Sequence, residues 1–129
     1  MITADQLLAH AIGDYILQSD WMANEKTKKS VAALCHAITY SLPFLIFAPS
    51  YEAFMVIAGT HFIVDRWRLA RYVVYLKNFC APQAYRYQWV QCSGTGYHND
   101  RPVWLSVWLL IIADNVMHVL INGLALKYL

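Results

Sequence analysis

Apolar residues fall along the chain in four blocks separated by short polar stretches, and each block reads as a helix. The first covers roughly Ile2 to Gln18. The second, roughly Val31 to Ala48, is "VAALCHAITYSLPFLIFA". The third starts near Glu52 and stays apolar to Val64, and the fourth, roughly Val103 to Leu126, is the longest. A helix that crosses a bilayer needs about 20 apolar residues, with a range of about 17–25. The fourth block meets that length. The first and third are borderline, so each is expected to tilt, to sink part-way or to extend beyond the bilayer. Pro43 predicts a kink or local break in the second block. Asp100, ahead of Arg101-Pro102, is an expected N-cap for the fourth. Past Val64 the pattern changes to a basic amphipathic stretch, "RWRLARYVVYLKNF", and then to "AYRYQWVQ", which alternates aromatic with polar residues. The alternation allows a short hairpin or lid, and equally a plain surface loop.

Composition sharpens this picture. Of 129 residues, 59% are hydrophobic and only 14% charged, against roughly 25% charged in ordinary soluble domains. A body of one-domain size has too much surface to hide that excess. The expectation is therefore all-α: a single four-helix transmembrane bundle over residues 1–129, with a cytoplasmic amphipathic extension and loop. A soluble helical bundle with a greasy exterior is the alternative. The net charge of +2 is too small to point to nucleic acid. Cys35, Cys80 and Cys92 are odd in number and lack CxxC spacing, so neither a disulfide framework nor a zinc ribbon is indicated. The start "MITADQLLAHAIGDYI" is not read as a signal peptide, because it has no basic head and no small-residue cleavage site.

Loop charges set the expected topology. Lys26, Lys28 and Lys29 lie between the first and second blocks. Arg66, Arg68, Arg71, Lys77, Arg86 and Arg101 lie between the third and fourth, and "PSYE" between the second and third has no cation. Positive-inside reasoning puts both basic connections in the cytoplasm and both termini outside, as a multi-pass protein of a bacterial cytoplasmic membrane. Trp21, Trp67, Trp89, Trp104 and Trp108 fall near the same ends, as an interfacial belt would.

The apolar blocks are interrupted by one recurring pair. His10 and Asp14, His61 and Asp65, and Asp114 and His118 each stand four residues apart, on one face of a helix. His36 adds one more polar group from the second block. Ionisable groups inside a bilayer cost at least about 2.5 kcal/mol each unless paired or solvated, so seven of them are expected to face one another in the bundle interior. Helical rise permits them to meet at similar depth in the cytoplasmic half, with His118 deepest. Such a set suits Zn²⁺, Mn²⁺ or Fe²⁺. Seven groups fit either two ions bridged by a carboxylate, or one ion with further side chains orienting its ligands. A metal-free hydrogen-bond network and a proton or ion pathway are the alternatives. The apolar outer halves of the helices count against a pathway. His98, in the polar "GYHND", is expected to be solvent-exposed. Gln18 and Tyr40 each stand one turn beyond a member of the set, Asp14 and His36 respectively.

The ordered stretches "LLAHAIGDYILQSDWMANEK", "CHAITY", "THFIVDRWR" and "DRPVWLSVWLLIIADNVMHVL" resemble the bacterial and phage membrane proteins grouped as domain of unknown function 3307. That resemblance implies a small polytopic membrane protein and carries no activity with it. In the His and Asp pattern alone, the chain is similar to bacterial membrane-bound proteins described as metal-dependent hydrolases. That similarity implies His10, Asp14, His36, His61, Asp65, Asp114 and His118 as ligands. The expected function is thus metal-dependent hydrolysis at the cytoplasmic side, with Asp65 or Asp14 as general base. An anionic amphiphile such as a lipid phosphate is the expected substrate. A non-enzymatic membrane protein that oligomerises or binds a partner, and a transport element, are the other classes.

Overall fold

A computed structural model describes residues 2–129. It contains helices and turns, with no strand among the described residues. The helices are α1 (Ala4–Ala11), α2 (Asp20–Glu25), α3 (Ser30–Ser41), α4 (Tyr51–Trp67), α5 (Ala70–Lys77) and α6 (Val103–Tyr128). The chain divides into two compact units: residues 1–67 with 118–129, and residues 68–117.

In the first unit, local chemistry explains most helix ends. Thr3 and Gln6 form a reciprocal capping box that starts α1. The Ser19 hydroxyl accepts from the Met22 amide at the start of α2, and Ser50 does the same for Ala53 at the start of α4. Pro43 acts as anticipated. The α-helix stops at Ser41, a 3₁₀ stretch runs over Leu42–Phe47, and Ala48 turns left-handed at φ 45°. Helices α3 and α4 pack together, and small residues on both are fully buried, among them Ala32, Ala33, Ala37 and Ala53. Tyr40, Phe44, Ile57, Ala9 and Ala125 form the apolar core, with Phe47, Val56 and Leu126 packed on it.

Block one is not a single α-helix. After Ala11 the backbone widens into a π-helical turn over Ile12–Ile16, where the Leu17 amide donates to the Ile12 carbonyl at 3.0 Å. Gly13 lies in this turn against α3. A Cβ there would come within 2.6 Å of the Tyr40 carbonyl oxygen and 2.8 Å of its ring. Block three ends as a helix of 17 residues at Trp67, because Arg68 adopts φ 52° and separates α4 from α5. Among the described residues, two helices are long and apolar enough to cross a membrane: Ser30–Phe47, of 18 residues, and Val103–Tyr128, of 26. The expected four spans thus reduce to two of sufficient length. The first block is shortened by its π turn and the break before α2, the third by Arg68.

In the second unit, α5 is followed by 3₁₀ turns over Asn78–Cys80, Gln83–Tyr85 and Trp89–Gln91 before α6 begins. The aromatic–polar alternation therefore produces turns, not a hairpin. Side chains of α5 and its flank hold the loop by its carbonyls: Arg68 to Gly94 at 2.9 Å, Arg71 to Ser93 at 3.1 Å, and Asn78 to Gly96 at 3.1 Å. Trp89 stacks on Tyr72 with ring centroids 4.8 Å apart. His98 is not solvated as expected. It packs against Tyr87 at 4.1 Å, with its side chain 15% exposed, and pairs with Asp100. Helix α6 starts at Val103, so Asp100 stands outside the N-cap position assigned to it.

Gly13→Ala tests the close approach. Helix propensity alone favours alanine by about 1 kcal/mol. Overpacking against Tyr40 costs about 1–3 kcal/mol, so a lowered melting temperature in detergent, followed by circular dichroism, is expected. A rise in melting temperature would show that the turn has room to spare.

Candidate metal centre

The first unit buries six of the seven anticipated groups or their immediate partners in one place. The π turn aims Asp14 inward, and such turns are frequent at functional sites. His36 comes from α3, His61 and Asp65 from successive turns of α4, and His118 from the last part of α6. His36 and His61 are 0% and 1% exposed, Asp65 5% and Asp14 7%.

Four atoms converge. The Nε2 atoms of His36 and His61 are 2.9 Å apart. Asp14 Oδ1 lies 3.2 Å from the first and 3.6 Å from the second. Asp65 Oδ2 is 3.3 Å from each. All four lie within 4.8 Å of one another, so the cluster could hold a metal ion. A tetrahedral ion with bonds of about 2.0–2.1 Å has ligand–ligand edges of about 3.3 Å. The five distances above bracket that value.

Each carboxylate is divided between inner and outer partners. Asp65 turns its second oxygen, Oδ1, to His118 Nε2 at 3.2 Å. Asp14 turns Oδ2 toward His10 Nε2 at 3.7 Å. His10 also meets the Tyr40 hydroxyl through Nδ1 at 2.8 Å, and the Asn122 amide donates to the same hydroxyl. The predicted set therefore separates into four converging groups, Asp14, His36, His61 and Asp65, and two histidines behind the carboxylates. Asp114 lies on α6 one turn before His118, in the second unit and half-buried.

Pairwise hydrogen bonding does not satisfy this arrangement. An imidazole nitrogen has one lone pair or one N–H. His36 Nε2 has four polar neighbours within 3.3 Å: His61, Asp14, Asp65 and the Lys26 ammonium. Two of these are acceptors when ionised and one is a donor only. The far nitrogens, Nδ1 of His36 and of His61, are buried without a hydrogen-bond partner among the described residues. The outer hydrogen bond that commonly orients a ligating imidazole is therefore not what holds these rings. For His61 the Tyr40 ring does so, stacked at 3.5 Å and 12°.

Lys26 is the residue that sequence reasoning missed. Loop charge groups it with Lys28 and Lys29 in one cytoplasmic connection. Those two are exposed and pair with Glu25, whereas the Lys26 side chain is 18% exposed and its Nζ lies 2.6 Å from Asp65 Oδ2. Glu25 offers a partial signal, since it takes up Lys28 and Lys29 and leaves Lys26 over. Asn122, an amide on α6 one turn beyond His118, is the other missed member.

A family model described as "Protein of unknown function (DUF3307)" matches residues 2–122. The chain belongs to this family. No curated protein and no solved structure matches it. As a DUF3307 protein it inherits no assigned reaction, so its chemistry has to be argued from the cluster itself.

Tyr40→Phe separates the stack from the hydroxyl. The ring stays on His61, but His10 and Asn122 lose a shared buried partner. The expected loss is about 1–3 kcal/mol of stability, read as a lower detergent or thermal midpoint. Wild-type stability in this variant would mean that the hydroxyl contributes nothing.

Proposed function

We propose that the cluster is a divalent-metal centre in a membrane-embedded helical protein, and that it serves metal-dependent hydrolysis of an anionic amphiphile. The set of edges between 2.9 and 3.6 Å among two imidazole nitrogens and two carboxylate oxygens carries the metal part of this reading. The mixed nitrogen and oxygen donors suit Zn²⁺, Mn²⁺ or Fe²⁺. Four converging donors suit one ion better than two, with His10 and His118 orienting the carboxylates from behind.

Membrane embedding is supported by the outer surface. Large apolar side chains point outward from the first unit, including Leu8 at 60%, Ile16 at 74%, Val31 at 66% and Ile46 at 73% exposed. In water such a surface is an association liability, whereas in lipid it is the ordinary state. The apolar helices at Ser30–Phe47 and Val103–Tyr128, and the exposed Trp21 and Trp67, fit the same view. The multi-pass topology proposed from loop charge, in which the shorter blocks one and three also cross, keeps Lys26–Lys29 in the cytoplasm and both termini outside. A single cysteine introduced at Ser50, with the native cysteines replaced, is expected to label only from the outer side. Labelling from the cytoplasm would overturn that topology.

For hydrolysis, a bound divalent ion supplies a water of lowered pKa and a Lewis acid. Asp65 is engaged by Lys26, His36, His61 and His118, which leaves it poorly placed to accept a proton. Asp14 has fewer partners: with His36, His61 and Asp65 holding the ion, the fourth position would be open to water and Asp14 would be the better general base. Lys28, Lys29 and Arg66 neighbour the cluster in sequence and supply positive charge for an anionic head group. A second reading, a structural centre without turnover, is favoured by the near-complete burial of His36 and His61.

Asp65→Asn decides between these readings and a metal-free network. The swap is nearly isosteric but removes the charge that binds a cation. Elemental analysis and melting of the purified protein in detergent, beside wild type, are expected to show metal near stoichiometry in wild type and at least about tenfold weaker binding in the variant. Lipid phosphates supply the turnover test. Metal retained with no turnover on any of them leaves the structural reading. Wild type that takes up no metal, even on reconstitution, ends the proposal.

A further inference from the structure

Among the described residues, Lys26 is the one cation that reaches the converging atoms from outside the histidine–aspartate set. It caps the C-terminus of α2, and its ammonium contacts Asp65 Oδ2 at 2.6 Å and His36 Nε2 at 3.2 Å. A metal ion bound to those same two atoms would lie within about 5 Å of the ammonium, since metal–ligand bonds are about 2.0–2.1 Å. Like charges at that separation in a poorly solvated interior repel strongly. In the tautomer whose Nε2 carries the lone pair, the ammonium 3.2 Å away faces the same lone pair that a metal ion would need.

We propose that Lys26 is the built-in counter-ion of this centre, and that a divalent cation enters by displacing its ammonium. This rests on the reading of the cluster as a metal centre and adds how occupancy is controlled. Two features make displacement feasible. The Lys26 side chain sits at the rim, 18% exposed where the Asp65 side chain is 3%, and four methylenes let its head swing outward while the backbone stays in place. The adjoining Lys28 and Lys29 are already at the surface, 68% and 65% exposed, so a withdrawn Lys26 has water to enter. Without the ion, the ammonium offsets part of the charge of two buried carboxylates. With the ion, that role passes to the metal.

The test is calorimetric titration of the full-length chain in detergent with Zn²⁺ and with Mn²⁺, using wild type, Lys26→Met and Lys26→Arg. Methionine keeps much of the stem and removes the charge. The expected result is at least about tenfold tighter binding by Lys26→Met, equivalent to about 1.4 kcal/mol, with no gain for Lys26→Arg. Equal or weaker binding by Lys26→Met overturns the counter-ion assignment and leaves the metal reading standing. No binding by any of the three overturns both. Binding by Lys26→Met alone overturns the proposal, because the ion then does not displace the ammonium from the wild-type site. A readout on wild type guards against a variant that fails to fold: acetylation of Lys26 by a water-soluble amine reagent, with Lys28 and Lys29 as internal references. A several-fold rise on saturation with Zn²⁺ is expected, and an unchanged ratio overturns the proposal.

Discussion

Two carboxylates held almost out of contact with water constrain nearly everything around them. An ionised carboxylate buried without partners costs several kcal/mol even after relaxation, so Asp14 and Asp65 have to be met by donors or cations from several directions. In the first unit those partners come from α1, α3, α4, α6 and the segment after α2. No single helix can surround a buried charge, and the requirement therefore ties together elements that are far apart in sequence. Removing one partner leaves the remaining charge uncompensated, which is more damaging than losing an equivalent apolar contact.

Tyr40 joins this polar cluster to the apolar core. One face of its ring lies on His61, its edge meets Phe44, and its hydroxyl is shared by His10 and Asn122. Its backbone leaves room only for glycine at position 13, which lets the π turn carrying Asp14 approach α3. Core packing and ligand geometry are consequently one problem here. A ligand that binds only the folded arrangement stabilises it by mass action, so metal uptake and folding stability are expected to move together.

The first unit also inverts the usual distribution of residue types. Its interior holds His10, Asp14, His36, His61, Asp65, His118 and Asn122, while many of its leucines and isoleucines face outward. Interior polar groups can then be satisfied only by one another, because lipid offers no hydrogen bonds where the proposed bilayer would lie. That is the physical link between the proposed environment and the proposed centre. An apolar exterior isolates the cluster and strengthens each electrostatic contact within it.

Several of these features are legible in the sequence. The four apolar blocks, the break at Pro43 and the recurrence of His and Asp at four-residue spacing follow from local rules: apolar runs seek burial or lipid, proline ends a hydrogen-bonding register, and a spacing of four repeats a helical face. Nothing local marks the widening of block one, because the π turn at Ile12–Ile16 goes with the close approach of Gly13 to Tyr40 and not with composition. Spacing likewise placed His10 with Asp14 and Asp65 with His61, but not which oxygen of each carboxylate would turn inward. For Asp65 that choice is set by His118, which arrives from α6 and takes Oδ1, leaving Oδ2 to turn inward. Lys26 is the clearest case. Its long stem can carry the ammonium outward to water or inward to a carboxylate at similar conformational cost. Only the tertiary arrangement, by bringing Asp65 and His36 within its reach, decided that it turns in.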